Sequence, residues 1–279
     1  MLSAKPETGF LSHRELKVLA LNTLDLLTVS FIGGLLSLDN VAVLQTMLSQ
    51  PIVAATLIGF LLDNTEIGLL IGVLLQFLWT SNVPAGAVVP PDNSVLACIG
   101  ASAAILGAQF WNPSVAIFFS LVMTVVFAPI TAWADAQVRQ FNNQLALSAD
   151  ASALEGNFRA IPLKHLSGVL IFFLKGFILI LSGTSLILLL EKGLLQVSSS
   201  VPFLTSEGFV RFARIFDTLF ITLGIGSAIQ LLRVSGRLEG FFAAFFLCSL
   251  LVEGLKLSPE ASLSLAVLVP LVGQGIYRR

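Results

Sequence analysis

Two apolar runs, Pro51 to Leu62 and Ile67 to Trp79, stand on either side of the polar tetrad Asp63-Asn64-Thr65-Glu66. A membrane-crossing helix needs about 20 apolar residues to cover a hydrocarbon core of about 30 Å. A dozen residues rising about 1.5 Å each reach only about 18 Å, so neither run crosses alone. The pair is therefore either one broken helix or a re-entrant hairpin. In both cases the divider places free backbone groups and polar side chains at membrane depth. That is tolerated only where the irregular backbone is buried in protein or lines a watery cavity. Interrupted helices of this kind often form transporter binding sites.

The rest of the chain agrees with a membrane solvent. Of 279 residues, 56% are hydrophobic and only 11% charged, against about 45–50% and about 25% in a typical soluble domain. The fold class expected is an all-α integral membrane protein, a multi-span helical bundle with broken or re-entrant helices in its N-terminal half. A net charge of -1 gives no basic surface for nucleic acid. Cys98 and Cys248 sit inside apolar runs and read as small packing residues rather than a disulfide. His13 and His165 are isolated, so no zinc spacing can be built and no metal or cofactor is expected. The first apolar run follows a polar tail and lacks a small-residue cleavage site, so no cleaved leader is expected.

Taken in order, Leu16 to Leu38 is a span carrying Asn22 and Asp25 on a face expected to look into protein. After the divided pair, Gly68 and Gly72 make a GxxxG spacing that admits close helix approach. Asn82 to Asn93 (NVPAGAVVPPDN) is too rich in Pro and Gly for a regular helix, and Pro90-Pro91 stiffens its path. Ser94 to Phe110 is a small-residue run suited to tight packing, and Pro113 to Trp133 is a second full span. Residues 134–165 are the longest polar stretch and read as an extramembrane amphipathic connector. It divides a membrane part at 1–133 from C-terminal membrane helices at 166–279. Those helices are expected at Leu166–Leu190, Phe209–Leu232, Leu238–Leu255 and Ala261–Ile276. Arg139, Arg159 and Lys164, then Arg233 and Arg237, then Arg278 and Arg279 fit one cytoplasmic side, a modest positive-inside bias. An inside N-terminus fits this bias if the divided pair makes one net crossing; a hairpin reverses that parity.

The candidate path residues are Asp39, Asp63, Asn64, Glu66, Gln76, Trp79, Asp92 and Asn93, all within the stretch 38–93. Asp39 and Asp92 adjoin helix boundaries and fit a capping role as well as a lining one. Asp63 and Glu66 sit between the two short runs, where an ionisable residue is a functional candidate by default. Gln76 can bond a hydroxyl-rich ligand or another helix. Trp79 can stack on a sugar or anchor at the membrane interface. Lys175 and Asp217 lie inside later spans and call for partners, each other or other buried polar groups, because a lone buried charge is costly. No nucleophile elbow, phosphate loop or metal constellation occurs, so no catalytic residue is expected.

Named motifs carry a family resemblance. Leu38-Asp39, Pro51-Ile52, Gly59 with Gly68 and Gly72, Pro84-x-Gly86 and Pro90-Pro91-Asp92 come first. Ala149-Asp150, Gly156-Asn157, Ile161, His165 and the basic Lys175 follow, with a partial match at Gly208-Phe209 and Gly224-Ile225-Gly226. The chain resembles the membrane subunit IIC of the mannose–fructose–sorbose class of bacterial sugar phosphotransferase systems. The resemblance implies a permease of the cytoplasmic membrane built with a second membrane subunit, IID, in an oligomeric, lipid-embedded assembly. Soluble IIA and IIB subunits would carry phosphate on histidines, with IIB phosphorylating the sugar as it is released inward. Two positions depart: the family usually has Gly-Asp where this chain has Asp63-Asn64, and commonly Glu where it has Gln76. A non-transporting scaffold that docks phosphotransfer proteins and an ion-coupled transporter using Asp63 and Glu66 are the alternatives.

Overall fold

The computed structural model describes residues 13–39, 41–43, 45–79, 89–198 and 200–216. Asp217, Cys248, most of the Phe209–Leu232 span and the last two spans lie outside the described residues, as do Pro84 and Gly86. Among those described, every regular element is helical: α1 (His13–Asp39), α2 (Pro51–Leu61), α3 (Thr65–Trp79), α4 (Asn93–Gly107), α5 (Pro113–Leu154) and α6 (Ala160–Ser198). A 3-10 turn at Pro202–Thr205 follows, and residues 207–216 are helical again.

α4 is the axis of the bundle. Every residue from Ser94 to Gly107 is buried, and α1, α2, α3, α5 and α6 all pack on it. Its sequence explains this, because Ala97, Gly100, Ala101, Ser102, Ala103, Ala104 and Gly107 leave little bulk. In lipid, helices associate through close packing of small residues rather than a hydrophobic drive. The neighbours answer with glycines of their own. A Cβ on Gly33 of α1 would sit 3.1 Å from the Cys98 sulfur, and one on Gly183 of α6 would sit 2.7 Å from Ile99 Cδ1.

α2 and α3 form an antiparallel hairpin, which decides between the two arrangements left open above. The register is written in glycines. A Cβ on Gly68 would come within 2.7 Å of Gly59 Cα and 2.6 Å of Ala55 O, and one on Gly72 within 2.9 Å of Ile52 Cα. As numbering falls along α2 it rises along α3, and at the open end Gln76 bonds Gln50. Eleven residues in α2 reach only about 16 Å, short of a bilayer core. The pair therefore adds no net crossing.

α5 and α6 are, among the described residues, the two helices long and apolar enough to cross a membrane. α5 runs 42 residues without a break, through Pro129 and far past Trp133. At about 1.5 Å per residue it is about 63 Å long, twice the hydrocarbon thickness. The polar stretch 134–165 is thus the projecting end of the α5–α6 pair rather than a separate amphipathic helix. It turns at Gly156, whose φ of 75° closes α5. There Asn157 N–H donates to Ser152 O at 2.9 Å and Gly156 N–H to Ala153 O at 3.0 Å, the paired bonds of a Schellman ending.

Candidate functional site

At the closed tip of the hairpin, the polar tetrad does the work of punctuation. Asp63 is left-handed, with φ 54°, and Asn64 N–H donates to Gly59 O at 2.8 Å, so α2 ends as α5 does, with an aspartate in the position glycine favours. Asn64 Oδ1 accepts from Ile67 N–H at 3.2 Å, the bond of an N-cap on the incoming helix. Glu66 lies in the first turn of α3, where a carboxylate suits the helix dipole. Asp63 and Glu66 are both exposed.

The open end is built by Asp39. Its Oδ1 accepts from the amide and the hydroxyl of Thr46, both at 2.7 Å, and its Oδ2 from the amide and hydroxyl of Ser49, at 3.1 and 3.2 Å. These four bonds pin a loop in which Gln45 and Met47 are held at φ 54° and 67°, a backbone state costly for residues with a side chain. The loop delivers Gln50 to the first turn of α2. Gln76 Nε2 donates to Gln50 Oε1 at 3.1 Å, and Gln76 Oε1 faces Ile52 N–H at 3.5 Å. Trp79, one turn on, is half-buried against the core around α4.

Asp92 caps α4 and is also the anchor of a buried ion network. Its Oδ1 accepts from Ser94 Oγ at 2.7 Å and Val95 N–H at 3.3 Å. Its Oδ2 takes the Lys175 ammonium at 2.7 Å, and that ammonium also bonds Asp135 Oδ1 at 2.8 Å. Asp135 Oδ2 in turn receives Arg139 Nε at 2.6 Å. Two cations thus balance two carboxylates, with Asp92, Asp135 and Lys175 each under a tenth exposed. Thr131 completes the layer by accepting from Asp92 N–H at 3.1 Å. Beside it, Asn93 Oδ1 is buried and has no hydrogen-bond partner among the described residues.

Two further polar layers follow along α4, α5 and α6. Ser102 and Thr184 share a hydrogen bond of 2.8 Å. Near the far end Ser120 Oγ donates to Glu191 Oε1 at 3.2 Å, the Trp111 indole donates to the Glu191 carbonyl at 3.2 Å, and Glu191 is 1% exposed.

Sequence reasoning found Lys175 and its need for partners, but not which they are. Asp135 was placed in the connector because it begins the polar stretch. Glu191 falls just outside the span expected at Leu166–Leu190, whereas α6 continues to Ser198.

The predicted residues therefore divide into three groups. Asp63, Asn64 and Glu66 share the tip. Gln76 and Trp79 lie at the open end, twelve residues and about 18 Å along α3 from Asn64. Asp92 and Asn93 head α4. Asp39 belongs with the open end through the loop it holds. No group of three metal-ligating side chains occurs among the described residues.

A small-residue helix ringed by longer ones and flanked by a half-length hairpin defines an all-α membrane protein. Residues 23–270 match the family model described as the sorbose-specific IIC component of the phosphotransferase system, and the chain belongs to that family. It is 24% identical over 199 residues to the sorbose-specific EIIC component of Klebsiella pneumoniae, covering 70% of this chain and 69% of that one. It is 23% identical over 204 residues to the mannose-specific EIIC component of Escherichia coli strain K12, at the same coverage. Among solved structures, one titled as a membrane protein superposes with a TM-score of 0.57 at 20% identity, covering 86% of this chain and 97% of its own. The mannose transporter ManYZ in complex with microcin E492 gives 0.51 at 19% identity, covering 92% and 94%. At these identities the structural likeness speaks to the fold.

Proposed function

We propose that this IIC component moves a hexose-type sugar across the bacterial cytoplasmic membrane, with a partner IIB subunit phosphorylating it on release. A IID membrane subunit would complete the path, and a IIA subunit would supply phosphate to IIB. The observation that carries this reading is the open end of the hairpin. Two amides, Gln50 and Gln76, meet there beside a loop organised by Asp39, at the base of an element too short to cross the membrane. Side-chain amides both donate and accept, as sugar hydroxyls do, and interrupted helices are where transporters place such groups. The tip residues Asp63, Asn64 and Glu66 would face the sugar at another point of the same path. Asp92 and Asn93 would face it at the head of α4, where Asn93 Oδ1 has no partner within the described residues.

Orientation follows from the helix order. α1 runs antiparallel to α4, and α4 to α5, so the start of α1 and the α5–α6 turn lie on opposite sides. With Arg139, Arg159 and Lys164 near that turn, the positive-inside bias favours a cytoplasmic turn and an outer start of α1.

Membrane vesicles containing this chain with its IIA, IIB and IID partners provide the test. Uptake of a labelled hexose should require all four subunits and yield sugar phosphate inside. A chain that binds IIB but supports no uptake would be a docking scaffold, and uptake driven by an ion gradient without IIB would make it an ion-coupled transporter. Either result overturns the reading.

A further inference from the structure

Asp39 and Pro51 are joined by a strap that one carboxylate holds in a costly shape. Gln45 and Met47 are left-handed, at φ 54° and 67°, a state that residues with a side chain keep only where the surroundings over-determine it. Their own side chains do not hold them, since both are exposed, as are Thr46 and Leu48 beside them. The start of the strap belongs to α1: the amides of Val41, Ala42 and Val43 bond Leu38 O at 3.2, 2.8 and 3.0 Å. Its end belongs to α2, where Val53 and Ala54 N–H both donate to Gln50 O at 2.9 Å. The left-handed pair falls between these fixed parts. What spans it is the Asp39 carboxylate, with two bonds from Thr46 and two from Ser49.

The hairpin beyond the strap is built to move as one piece, because its two backbones touch at Gly59, Gly68 and Gly72. Its seat on α4 is aliphatic: Ile58, Ile71, Leu74 and Leu75 lie in one buried cluster with Ala97 and Ala101. A Cβ on Gly100 would meet Ile71 and Leu75 at 3.3 and 3.4 Å. Such contacts have no preferred direction and allow small shear between packed helices. The strap also adjoins the amides at the open end, since Ser49 bonds Asp39 and the next residue, Gln50, bonds Gln76.

We infer that the strap is a strain-loaded latch: when the Asp39 bonds open, the hairpin pivots about Gln45 and Met47, and a hydroxyl-bearing solute at Gln50 and Gln76 is the trigger. The inference rests on the transport reading and deepens it. Opening lets Gln45 and Met47 relax to ordinary backbone, which offsets part of the cost of the lost bonds and brings the two states closer in energy. A sugar biases them because Gln50 and Gln76 bond each other in the latched state and turn to a solute when the base moves. Its affinity therefore differs between the states, as any such shift requires.

Amide hydrogen exchange tests this on the full chain in vesicles with its partner subunits, read by mass spectrometry at single amides over residues 45–54. Thr46→Val with Ser49→Ala removes two of the four bonds and keeps both amide donors. Exchange should quicken about fivefold or more at positions 46 and 49 and equally at 53 and 54, because one opening exposes all four. Gln45→Asn with Met47→Asn works the other way, since asparagine tolerates the left-handed region. Exchange should slow about threefold or more at the same positions, and uptake of labelled mannose or sorbose should fall. A strap that only anchors α2 would gain stability from the asparagines and lose no uptake. Whichever sugar is taken up should quicken exchange at all four positions in the unaltered chain. Changes confined to positions 46 and 49, no response to that sugar, or uptake unaltered by the asparagine pair overturns the latch and leaves the transport reading standing. Matched changes at all four positions in vesicles whose unaltered chain takes up no sugar support the latch and remove the transport reading.

Discussion

The hairpin of α2 and α3 and the core of α4, α5 and α6 are both small-residue helix packings, yet they treat polar groups in opposite ways. In the hairpin, glycines 59, 68 and 72 bring two backbones into contact, and apart from Thr56, whose hydroxyl bonds back to Ile52 O, the polar residues collect at its two ends. In the core, the polar groups lie along the axis in layers: Lys175 with two aspartates, Ser102 with Thr184, and Ser120 with Glu191, whose second carboxylate oxygen is buried with no partner among the described residues. A polar group inside the core has only its packed neighbours to meet it, because lipid and apolar side chains offer it nothing else. A polar group at a hairpin end needs only a turn or a cap, which leaves it able to exchange partners with a passing solute. On the proposed function the core is the frame and the hairpin the working element.

The sharpest way to break that contrast is to remove a charge from the core. Lys175→Met strands Asp92 and Asp135 in a buried site, and breaking such a pair costs about 3–5 kcal/mol. Thermal unfolding of the purified chain in detergent should show a large fall in stability, partly restored when Asp92→Asn and Asp135→Asn are added. A smaller effect is expected in the hairpin from Gly68→Val. Its new side chain must enter space held by the Ala55 carbonyl and Gly59, and overpacking of this kind costs about 1–3 kcal/mol. Sugar uptake should be lost in this variant while the chain still inserts into the membrane. Smallest is Asn64→Ala, which removes one helix cap worth about 1 kcal/mol. It should lower stability slightly and reduce uptake, whereas Asn64→Asp, which keeps the capping oxygen, should preserve stability.

The cap also accounts for one departure from the family pattern. Position 63 is left-handed, where glycine is at ease, and position 64 needs a side-chain oxygen for Ile67 N–H. Asp-Asn meets both needs as Gly-Asp would, so the substitution is conservative for the turn. Gln76 keeps an acceptor oxygen but no charge, and it uses its amide hydrogen on Gln50, a bond that an ionised glutamate could not donate.

Span length and punctuation made α1 to α4 readable to within a few residues, because Pro51, the tetrad and Pro90-Pro91 interrupt the apolar pattern where the helices end. Three things were hidden. Broken helix and hairpin have the same sequence signature, and only the glycine register across Gly59, Gly68 and Gly72 separates them. The passage from membrane to water inside α5 looked like a boundary because polarity changes at residue 134, whereas the Ala-, Gln- and Leu-rich stretch beyond it keeps helical propensity. Asp135 and Glu191 sit beside apparent ends, and their burial comes from neighbours forty or more positions away: Lys175 for one, Ser120 and Gly107 for the other. Distance along the chain, rather than residue type, kept them out of view.

The central claim is that the open end of the hairpin meets the sugar. Uptake of labelled hexose by Gln76→Ala, in vesicles matched for the amount of IIC and containing all partner subunits, tests it most directly. The account predicts a fall in uptake of about tenfold or more with membrane insertion intact. Uptake equal to that of the unaltered chain would contradict it and remove Gln76 from the path.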